Sequence, residues 1–474
     1  MKTKPFYITT TLPYVNAEAH MGHAVEFIRA DIIARSKKIA GFDVFFNTGT
    51  DEHGIKIYQK ARQSHLEPQA FVDQISAKFR EILPMLGVMP EANFVRTTDA
   101  HHVMAAQEFW KLVDKNGYIY KKDYSVKYCV GCELEKTESE LVNGRCPLHP
   151  LQELETIQEE NYFFKWSAFG QKLLDHYAAH PDFVIPDFRF NEIKAFVERG
   201  LEDFSISRVA SKMPWGIPVP GDPDQVMYVW FDALVNYISA IGWPDRMADF
   251  NKWHIETGGM VQYCGKDNLR QQSAMWQAML MAAGLPSSKH IIINGFITGE
   301  GGIKMSKSLG NTVDPLEIVK EYGTDALRYY VARELSPFED SPFTKEKFKE
   351  AYNAGLANGI GNLTSRVLKM AVDNGVKAEL KEAKPIAIEG FNIKAACDEI
   401  WRLIQEADKS IQDNQPFKAV KTDLEKGKKM IGELASQLYV IAQLLEPIMP
   451  STAGKIQELL RDNKMPDAPL FVRK

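Results

Sequence analysis

The sequence predicts a doubly wound α/β domain that is interrupted by an inserted segment and followed by an all-α helical bundle. Short β-rich runs alternate with helical patterns up to about residue 116, and the alternation resumes after residue 214, which predicts one parallel sheet built from two halves. Between the halves the pattern breaks into short β-like runs rich in Tyr, Cys and Glu. From about residue 346 almost every segment has a helical period, which predicts a bundle. Apolar residues mark one predicted stripe from Ile393 to Ile411 and a second from Leu424 to Ile441.

Length, composition and charge indicate a protein of several domains. A chain of 474 residues is too long for one core, and 45% hydrophobic with 25% charged residues is ordinary for a globular protein. The sequence has no apolar run of about 18 residues or more and no secretory leader, so we expect a cytosolic protein that does not enter a membrane. A net charge of −5 excludes a strongly basic nucleic-acid binder but allows local basic patches.

The first candidate site is the stretch 12–23, which lies between a β-rich run and a helical pattern. His20, Gly22 and His23 therefore fall at the first turn of a helix, where backbone N–H groups and the helix dipole favour an anion. The histidines can donate to phosphate oxygens, and Gly22 lets a ligand approach the backbone. Alone, this short pattern is equally typical of an ordinary strand–helix turn.

Two further strand ends carry polar loops, at residues 48–54 and 265–268. Ligands bind beyond the carboxyl ends of strands in an open parallel sheet, so both loops should lie beside the stretch 12–23. Asp51 is suited to an ammonium group and Asp267 to ribose hydroxyls, while Gly265 leaves room for a base or sugar. Each acid alone is equally a loop or capping residue, but the three loops together favour a nucleotide site.

Clustered cysteines predict a metal site in the inserted segment. Cys129 and Cys132 form one short knuckle, and Cys146 and His149 form a second. Three thiolates and one imidazole make a complete tetrahedral ligand set that suits Zn²⁺, and this set leaves no coordination position for water. We therefore expect one structural zinc ion per chain; the alternative is free cysteines in a loop.

A short basic loop is the last candidate. Lys304, Ser306 and Lys307 follow a glycine-rich connection at 295–302. Lysines and serines in this arrangement can cradle a triphosphate, although a basic run is more often a solvated surface.

These motifs together resemble the class I aminoacyl-tRNA synthetases, and the whole chain resembles the methionyl-tRNA synthetase family in particular. The two signature motifs of the class are similar to residues 20–23 and 304–308. Segments 12–14, 48–54 and 230–234, with the zinc knuckles, are similar to segments of the methionine enzymes. The resemblance covers nearly the whole chain and implies a Rossmann-like catalytic domain and an ATP-dependent aminoacyl-tRNA ligase.

The resemblance also implies a role for each part of the chain. Residues 1–116 and 215–299 would be the halves of the catalytic domain, and 117–214 the connective insertion with the zinc knuckles. Residues 300–345 would form the KMSKS loop and a stem-contact region, and 346–474 the anticodon-binding bundle.

For methionine, the resemblance implies a pocket with a charged and an apolar end. Asp51 would hold the amino group beside the Leu12 backbone and Tyr14, and aromatic rings suit a polarizable thioether. The family usually has an apolar residue where Asn268 stands and a histidine where Gln272 stands, so this sequence departs from the pattern at the pocket. The other residues that would line the side-chain pocket are Trp230, Ala233, Leu234 and Tyr237.

For ATP, the resemblance implies a two-step reaction. The methionine carboxylate would attack the α-phosphate of Mg²⁺-ATP and release pyrophosphate, and the 2′-hydroxyl of the terminal adenosine of tRNA would then take the methionyl group. His20, His23, Lys304 and Lys307 would stabilise charge during catalysis. The residues that would bind the nucleotide are His20, Gly22, His23, Gly265, Asp267, Lys304, Ser306 and Lys307.

For tRNA, the resemblance implies anticodon reading by the bundle. Asn362 and Arg366 are four residues apart, so they share a helix face, and they match the family's pair that reads the CAU anticodon of initiator and elongator tRNA(Met). The bundle lacks the usual stacking tryptophan near its end, and no appended domain follows it, which suggests a monomer. The rings that could substitute for the tryptophan are Phe417, Tyr439 and Phe471.

Two alternative functions are weighed against the sequence. A class I synthetase for leucine, isoleucine or valine would carry a larger insertion, and one for cysteine would need thiolate and histidine ligands in its amino-acid pocket. A non-catalytic tRNA-binding or zinc-scaffold protein would not need the basic loop at 304–308.

Overall fold

The structure is a computed structural model that describes residues 3–132, 134–136, 140–303 and 313–474. The basic loop lies outside the described residues, and with it Lys304, Ser306 and Lys307. The strands are β1 (Pro5–Thr10), β2 (Asp43–Thr50), β3 (Asn93–Arg96), β4 (Ile119–Cys129), β5 (Leu134–Lys136), β6 (Glu155–Phe164), β7 (Val184–Ile185), β8 (Phe204–Ser205), β9 (Ser207–Val209), β10 (Pro218–Val219), β11 (Asp222–Met227), β12 (Val261–Gly265), β13 (His290–Asn294), β14 (Ile297–Thr298) and β15 (Ser341–Pro342).

Helices surround these strands and make up the C-terminal part. No helix in the described ranges has both the length and the apolar character that a membrane crossing requires. The α-helices are α1 (Met21–Ile39), α2 (Ile55–Gln63), α3 (Pro68–Met85), α4 (Ala100–Lys115), α5 (Gly170–Ala179), α6 (Asp187–Glu198), α7 (Val229–Ala233), α8 (Asn236–Ser239), α9 (Met247–Phe250), α10 (Trp276–Ala283), α11 (Pro315–Tyr322), α12 (Thr324–Tyr329), α13 (Lys345–Ala351), α14 (Asn362–Asp373), α15 (Ile393–Asn414), α16 (Pro416–Thr422), α17 (Leu424–Leu445) and α18 (Pro450–Asp462).

Six parallel strands form the central sheet in the order β3-β2-β1-β12-β13-β7. The predicted Rossmann-like α/β fold is therefore confirmed. Strand β1 pairs with β2 from the first half of the chain and with β12 from the second half. The carboxyl end of β1 is thus the point where strand order reverses, and such a point is where open α/β sheets bind ligands.

Strand β2 runs further than the sequence predicted, because the supposed loop from residue 48 onward is still extended up to Thr50. Gly49 pairs with Val95 of β3, and a Cβ at Gly49 would lie 1.8 Å from the Val95 carbonyl oxygen. Glycine is needed here for close contact between strands and not for a turn, which is why the pattern was misread.

The inserted segment contains one small antiparallel sheet, β5-β4-β6-β8. A second antiparallel sheet, β10-β11-β9, joins β9 of the insertion to two strands that lie beyond residue 214. Strand β7 also falls inside the range 117–214, yet it pairs in parallel with β13 as the outermost strand of the central sheet. A two-residue strand leaves no periodic signal in a sequence, so only the structure reveals this pairing.

The C-terminal helices bury the apolar stripes that the sequence predicted, from Ile393 to Ile411 on α15 and from Ile431 to Ile441 on α17. The prediction is wrong for Leu424, the first residue of the α17 stripe. Leu424 is 51% exposed because it is the first residue of the helix. Cys264 and Cys397 are fully buried and pack in the two cores as small apolar residues.

A buried ion pair links helix α1 to the C-terminal helices. Arg328 Nη2 lies 2.7 Å from Asp31 Oδ2, and both side chains are fully buried. Arg328 also donates to the backbone carbonyls of Pro447 and Ile448. Because Arg328 meets both the Asp31 carboxylate and these carbonyls, it ties α1 to the connection between α17 and α18.

Candidate active site

A cavity of about 360 Å³ opens beyond the carboxyl ends of β1, β2 and β12. It is lined by every described residue that the sequence assigned to methionine or ATP. These are Leu12, Tyr14, His20, Gly22, His23, Asp51, Trp230, Ala233, Leu234, Tyr237, Gly265, Asp267, Asn268 and Gln272.

His20 and His23 hold the first turn of α1 through their own ring nitrogens. His20 Nδ1 accepts from the Gly22 N–H at 3.1 Å, and His23 Nδ1 accepts from the His20 N–H at 3.3 Å. Since both Nδ1 atoms accept, each neutral ring carries its proton on Nε2 and can donate there. Burial, together with the neighbouring His20, lowers the pKa of His23 well below its usual range, so His23 is a neutral donor.

Gly22 and Gly265 keep the backbone open at this end of the cavity. A Cβ at Gly22 would lie 2.9 Å from the His20 ring, and one at Gly265 would lie 2.8 Å from Asp267 Oδ1. Both contacts are closer than carbon atoms tolerate, so a larger residue would displace the histidine or the aspartate. Asp267 itself is exposed toward the cavity mouth, where a ribose could reach it.

Asp51 reaches the cavity from the end of β2. Its N–H donates to the Pro13 carbonyl at 2.9 Å, and its own carbonyl accepts from the Val15 N–H at 3.1 Å. These bonds tie the ends of β1 and β2 together, so Asp51 and Tyr14 are neighbours in one bridge. Asp51 is only 7% exposed, and a shielded carboxylate next to an aromatic ring is a strong site for an ammonium group.

The residues after Asp51 brace this loop. Both oxygens of Glu52 accept from Arg96 at 2.8 Å. Buried Asp232 lies 2.6 Å from His53 Nδ1 and 2.8 Å from His102 Nε2. Burial alone would raise the pKa of Asp232, but the two histidines hold that pKa below its usual range. Asp232 belongs to α7, so the network fixes the loop against the helix that forms the apolar wall of the cavity.

The apolar wall consists of Trp230, Ala233 and Leu234 with the ring of Tyr237. Asn268 and Gln272, the two positions at which the sequence departs from the family pattern, bond to different groups beside this wall. The Asn268 amide donates to Asp267 Oδ1 at 3.3 Å, toward the polar end. The Gln272 amide donates to the Tyr237 hydroxyl at 2.8 Å, next to the apolar wall.

Glu26 is a pocket residue that the sequence reasoning missed. It is 9% exposed, and its carboxylate accepts from the Thr11 N–H at 2.7 Å and from the Thr11 hydroxyl. Burial raises the pKa of Glu26 to about 8, against the bonds from Thr11, and nearby Asp267 adds to the rise. The available signal was spacing, because Glu26 follows His23 by three residues and shares its helix face.

Other lining residues also escaped prediction. Lys56 donates to the Gly131 carbonyl at 2.6 Å and lies 5.8 Å from the centroid of the Tyr14 ring. The first metal knuckle therefore touches the wall of the cavity, a contact between segments that no local pattern reveals. The remaining missed lining residues are Thr11, Pro13, Cys132, Val229, Asn236, Asn294, Gly295, Phe296 and Ile297.

The predicted metal ligands lie together. One atom from each of Cys129, Cys132, Cys146 and His149 lies within 4.8 Å of the others. His149 Nδ1 is 3.7 Å from Cys129 Sγ and 3.2 Å from Cys132 Sγ. Tetrahedral zinc with bonds of about 2.0–2.3 Å needs ligand atoms at about these separations, so this set can hold a metal ion. A Cβ at Gly131 would lie 2.4 Å from the His149 ring, so glycine is required between the first two thiolates.

The predicted anticodon pair lies on α14. Asn362 is exposed at its first turn, and Arg366 forms an ion pair with Asp408 of α15. Of the candidate stacking rings, Phe417 is 43% exposed, while Phe471 packs on Tyr352 with ring centroids 5.9 Å apart.

The sheet with its switch-point cavity and the two histidines on α1 are features of a nucleotide-binding α/β enzyme, and comparison with known proteins identifies the class. The family model described as tRNA synthetases class I (M) matches residues 6–156 and 140–368. The methionine–tRNA ligase of Thermotoga maritima is 39% identical over 95% of this chain and 74% of its own length. That of Thermosynechococcus vestitus is 40% identical over 95% of this chain and 89% of its own length.

A solved structure agrees with this match. The Mycobacterium tuberculosis methionyl-tRNA synthetase in complex with methionyl-adenylate has a TM-score of 0.90 and 34% identity, covering 98% of this chain and 95% of that chain. The chain therefore belongs to the class I tRNA synthetases and, within that class, to the methionine–tRNA ligase family.

Proposed function

We propose that the cavity is the site at which this chain joins L-methionine to tRNA. ATP first converts methionine to methionyl-adenylate with release of pyrophosphate, and the methionyl group then passes to the 3′-terminal adenosine of tRNA(Met) with release of AMP. The observation that carries this proposal is the convergence of Asp51, the His20–His23 turn and Asp267 on one cavity in a chain of this family.

Methionine occupies the end of the cavity between β1 and α7. The Asp51 carboxylate pairs with the ammonium group beside the Leu12 backbone and Tyr14. The thioether lies among Trp230, Ala233, Leu234 and Tyr237, where contacts between sulfur and aromatic rings contribute about 0.3–1.5 kcal/mol. Asn268 and Gln272 complete the surroundings of this pocket.

ATP occupies the other end, with its phosphates at the first turn of α1. The Nε2–H groups of His20 and His23 donate to phosphate oxygens, and Asp267 accepts from the ribose hydroxyls. Gly22 and Gly265 let the nucleotide approach the backbone. Lys304, Ser306 and Lys307 are assigned to the triphosphate on sequence grounds alone.

The first step needs positioning more than proton transfer. A methionine carboxylate oxygen forms a bond to the α-phosphorus while the bond from that phosphorus to the bridging oxygen breaks, and the electron pair leaves with pyrophosphate. The carboxylate is already a nucleophile, so no general base is required, and neutral donors such as His23 stabilise charge at the phosphate oxygens. Mg²⁺ enters as part of the substrate Mg²⁺-ATP and offsets the phosphate charge.

In the second step the 2′-hydroxyl of the terminal adenosine attacks the carbonyl carbon of the adenylate. The ester bond forms, the bond to the phosphate oxygen breaks, the hydroxyl proton is released, and AMP leaves. Anticodon reading by Asn362 and Arg366 selects initiator and elongator tRNA(Met). Because Arg366 is paired with Asp408, a base would have to share or replace that ion pair.

Zinc is the metal that the knuckles hold in this proposal. Cys129, Cys132, Cys146 and His149 form a closed set that fits structural Zn²⁺, which would stabilise the small insertion. We assign the parts of the chain the roles expected from the sequence, with 1–116 and 215–299 catalytic, 117–214 the insertion apart from β7 of the central sheet, 300–345 the KMSKS and stem region, and 346–474 the anticodon bundle. We further propose a cytoplasmic monomer.

Amino-acid-dependent exchange of pyrophosphate into ATP tests the activity. We expect exchange with methionine and none above background with leucine, isoleucine, valine or cysteine. Exchange with one of those four would assign a different synthetase, and absence of exchange with every amino acid would leave a non-catalytic tRNA-binding protein.

A further inference from the structure

A second cavity, of about 150 Å³, lies between helix α1 and the C-terminal helices. Among the described residues it shares no lining residue with the cavity at the strand ends, and the proposed mechanism does not use it. Its inner wall is aliphatic. Ile32 of α1 is fully buried, and Ile393 and Ile400 of α15, together with Ile448 before α18, are at most 3% exposed. We call this space the α1–α15 cavity.

The irregular segment 383–388 forms one side of the α1–α15 cavity. Gln443 of α17 holds this segment with both ends of its amide. Its Oε1 accepts from the Ala383 N–H at 3.2 Å, and its Nε2 donates to the Lys381 carbonyl at 2.8 Å. Ile39, the last residue of α1, also lines the cavity and is 40% exposed, so the space opens to solvent there. A small molecule can therefore enter from the end of α1.

One polar side chain of this wall has an unused donor. Gln457 of α18 is 9% exposed and lines the cavity. Its Oε1 accepts from Arg461 Nη2 at 3.1 Å, which leaves the Nε2 group to donate. Within the ranges that the structure describes, no residue accepts a hydrogen bond from Gln457 Nε2. A buried donor without an acceptor is unfavourable, so a ligand that supplies an acceptor gains a hydrogen bond here.

We propose that the α1–α15 cavity binds a small neutral molecule of about the size of one six-membered ring that carries a hydrogen-bond acceptor. An apolar cavity of about 150 Å³ accepts one molecule of benzene, which sets the size. The described lining carries one charge, on Glu446, and that residue is exposed, so an ion would lose its hydration without meeting a partner inside. Gln457 accounts for the acceptor.

A ligand in this position contacts α1 on one side and α15 and α18 on the other. It can bind only while these helices keep their present packing, so binding stabilises that packing. The melting temperature of the chain should therefore rise with ligand concentration, as it does for any ligand that binds the folded state alone.

Methyl NMR of the full chain, labelled at the isoleucine δ1 methyl groups, tests the proposal with cyclohexanone as the probe. This ketone is a neutral six-membered ring with one acceptor. We expect saturable shifts confined to isoleucines of the cavity, such as Ile32, Ile393 and Ile400, with a dissociation constant on the order of 1 mM. Cyclohexylammonium has a similar ring but carries a charge, and it should not shift these signals.

Two variants separate the contribution of the donor from that of the space. Gln457→Met removes the donor, so the dissociation constant for cyclohexanone should rise about 3- to 10-fold, while that for methylenecyclohexane, which lacks the acceptor, should not change. Ala396→Leu adds a side chain that fills the cavity from α15, so binding of both probes should be lost. The matched control is Ala395→Leu, at an exposed alanine outside the cavity, which should retain binding of both.

Any of three results would overturn the proposal. Absence of saturable shifts, or shifts spread over isoleucines throughout the chain, would leave only a general solvent effect. Equal binding by Ala396→Leu and the unaltered chain would place the probe elsewhere. An equal rise for both probes in Gln457→Met would remove the acceptor from the description of the ligand. If Ala396→Leu lowers the melting temperature, the shift pattern and the Gln457→Met comparison decide the outcome.

Discussion

Asp51 and Glu52 are neighbours at the carboxyl end of β2, but their surroundings differ, and so do the interactions that each can make. Glu52 is committed to Arg96 through two bonds of 2.8 Å and stabilises the loop. Asp51, one residue earlier, lines the cavity beside Tyr14. Alternation along an extended chain separates the two side chains, so a residue that lines the cavity and one that braces the loop are adjacent in sequence.

Asp51→Asn should weaken methionine binding with little effect on ATP. The change removes the charge but keeps the shape, and a hydrogen bond to a charged group contributes about 1.5–3 kcal/mol, so KM for methionine should rise about 10- to 100-fold. Steady-state pyrophosphate exchange gives both KM values. Asp73→Asn, a half-exposed aspartate that pairs with Arg96, is the control and should leave KM for methionine unchanged. An equal rise in both KM values for Asp51→Asn would contradict the assignment.

Glu26→Gln should change how stability depends on pH. Burial raises the pKa of Glu26 from 4.5 to about 8, so the folded chain holds this proton more tightly than the unfolded chain does. The contribution of Glu26 is complete below pH 4.5 and is lost as the pH rises to about 8. The free energy of unfolding of the unaltered chain, relative to Glu26→Gln, should fall across that window. Urea titrations from pH 5 to about pH 9 measure it; parallel curves would contradict a raised pKa.

At the scale of elements, the predicted metal knuckles belong to the insertion and also reach the wall of the cavity. Lys56, on the first turn of α2, bonds to the Gly131 carbonyl between two of the thiolates and lies near the Tyr14 ring. A well-folded insertion is therefore expected to help shape the end of the cavity that is proposed for methionine.

Cys146→Ala should abolish zinc binding and lower the melting temperature. Removing one of four ligands leaves an incomplete set, and we expect the insertion to depend on the metal for stability. Zinc per chain, measured by atomic emission on the purified protein, should fall from about one to near zero. Cys397→Ala, a buried cysteine in α15, is the control and should keep the full zinc content. Equal zinc content in Cys146→Ala and the unaltered chain would refute the site.

Elements also show what the sequence could and could not predict. The three loops were found because parallel strands bring their carboxyl ends to one edge, so residues at 12–23, 51 and 265–268 had to meet. Glu26 was missed because it lies on the buried part of α1, where a polar residue looks like an interruption of an apolar pattern. Gly49 was misread because close contact between strands and a turn both favour glycine.

At the scale of the whole molecule, helix α1 joins the cavity to the C-terminal helices. Its first turn holds His20 and His23, and Asp31 in its middle pairs with Arg328. The predicted anticodon pair lies on α14, and α14 and α15 are joined by the ion pair between Arg366 and Asp408. The cavity proposed for methionine activation and the helix proposed for anticodon reading thus lie in separate parts of the molecule.

Arg366→Ala should slow aminoacylation of tRNA(Met) without changing activation of methionine. Loss of one specific contact to a base costs about 1–3 kcal/mol, so kcat/KM for tRNA should fall about 10- to 100-fold while pyrophosphate exchange is unaltered. Arg402→Ala is the matched control, because Arg402 is an exposed arginine of the same bundle paired with Glu399 and Glu406. Equal losses in both variants would indicate a general charge effect and contradict base reading by Arg366.

The central claim is that one cavity holds methionine at the Asp51 end and ATP at the His20–His23 end. A crystal structure with a non-hydrolysable methionyl-adenylate analogue tests it most directly. We expect the ligand amino group about 3 Å from the Asp51 carboxylate, the thioether among Trp230, Ala233 and Tyr237, and the ribose hydroxyls about 3 Å from Asp267. Density for the analogue outside this cavity, or inside it with the amino group turned away from Asp51, would contradict the account.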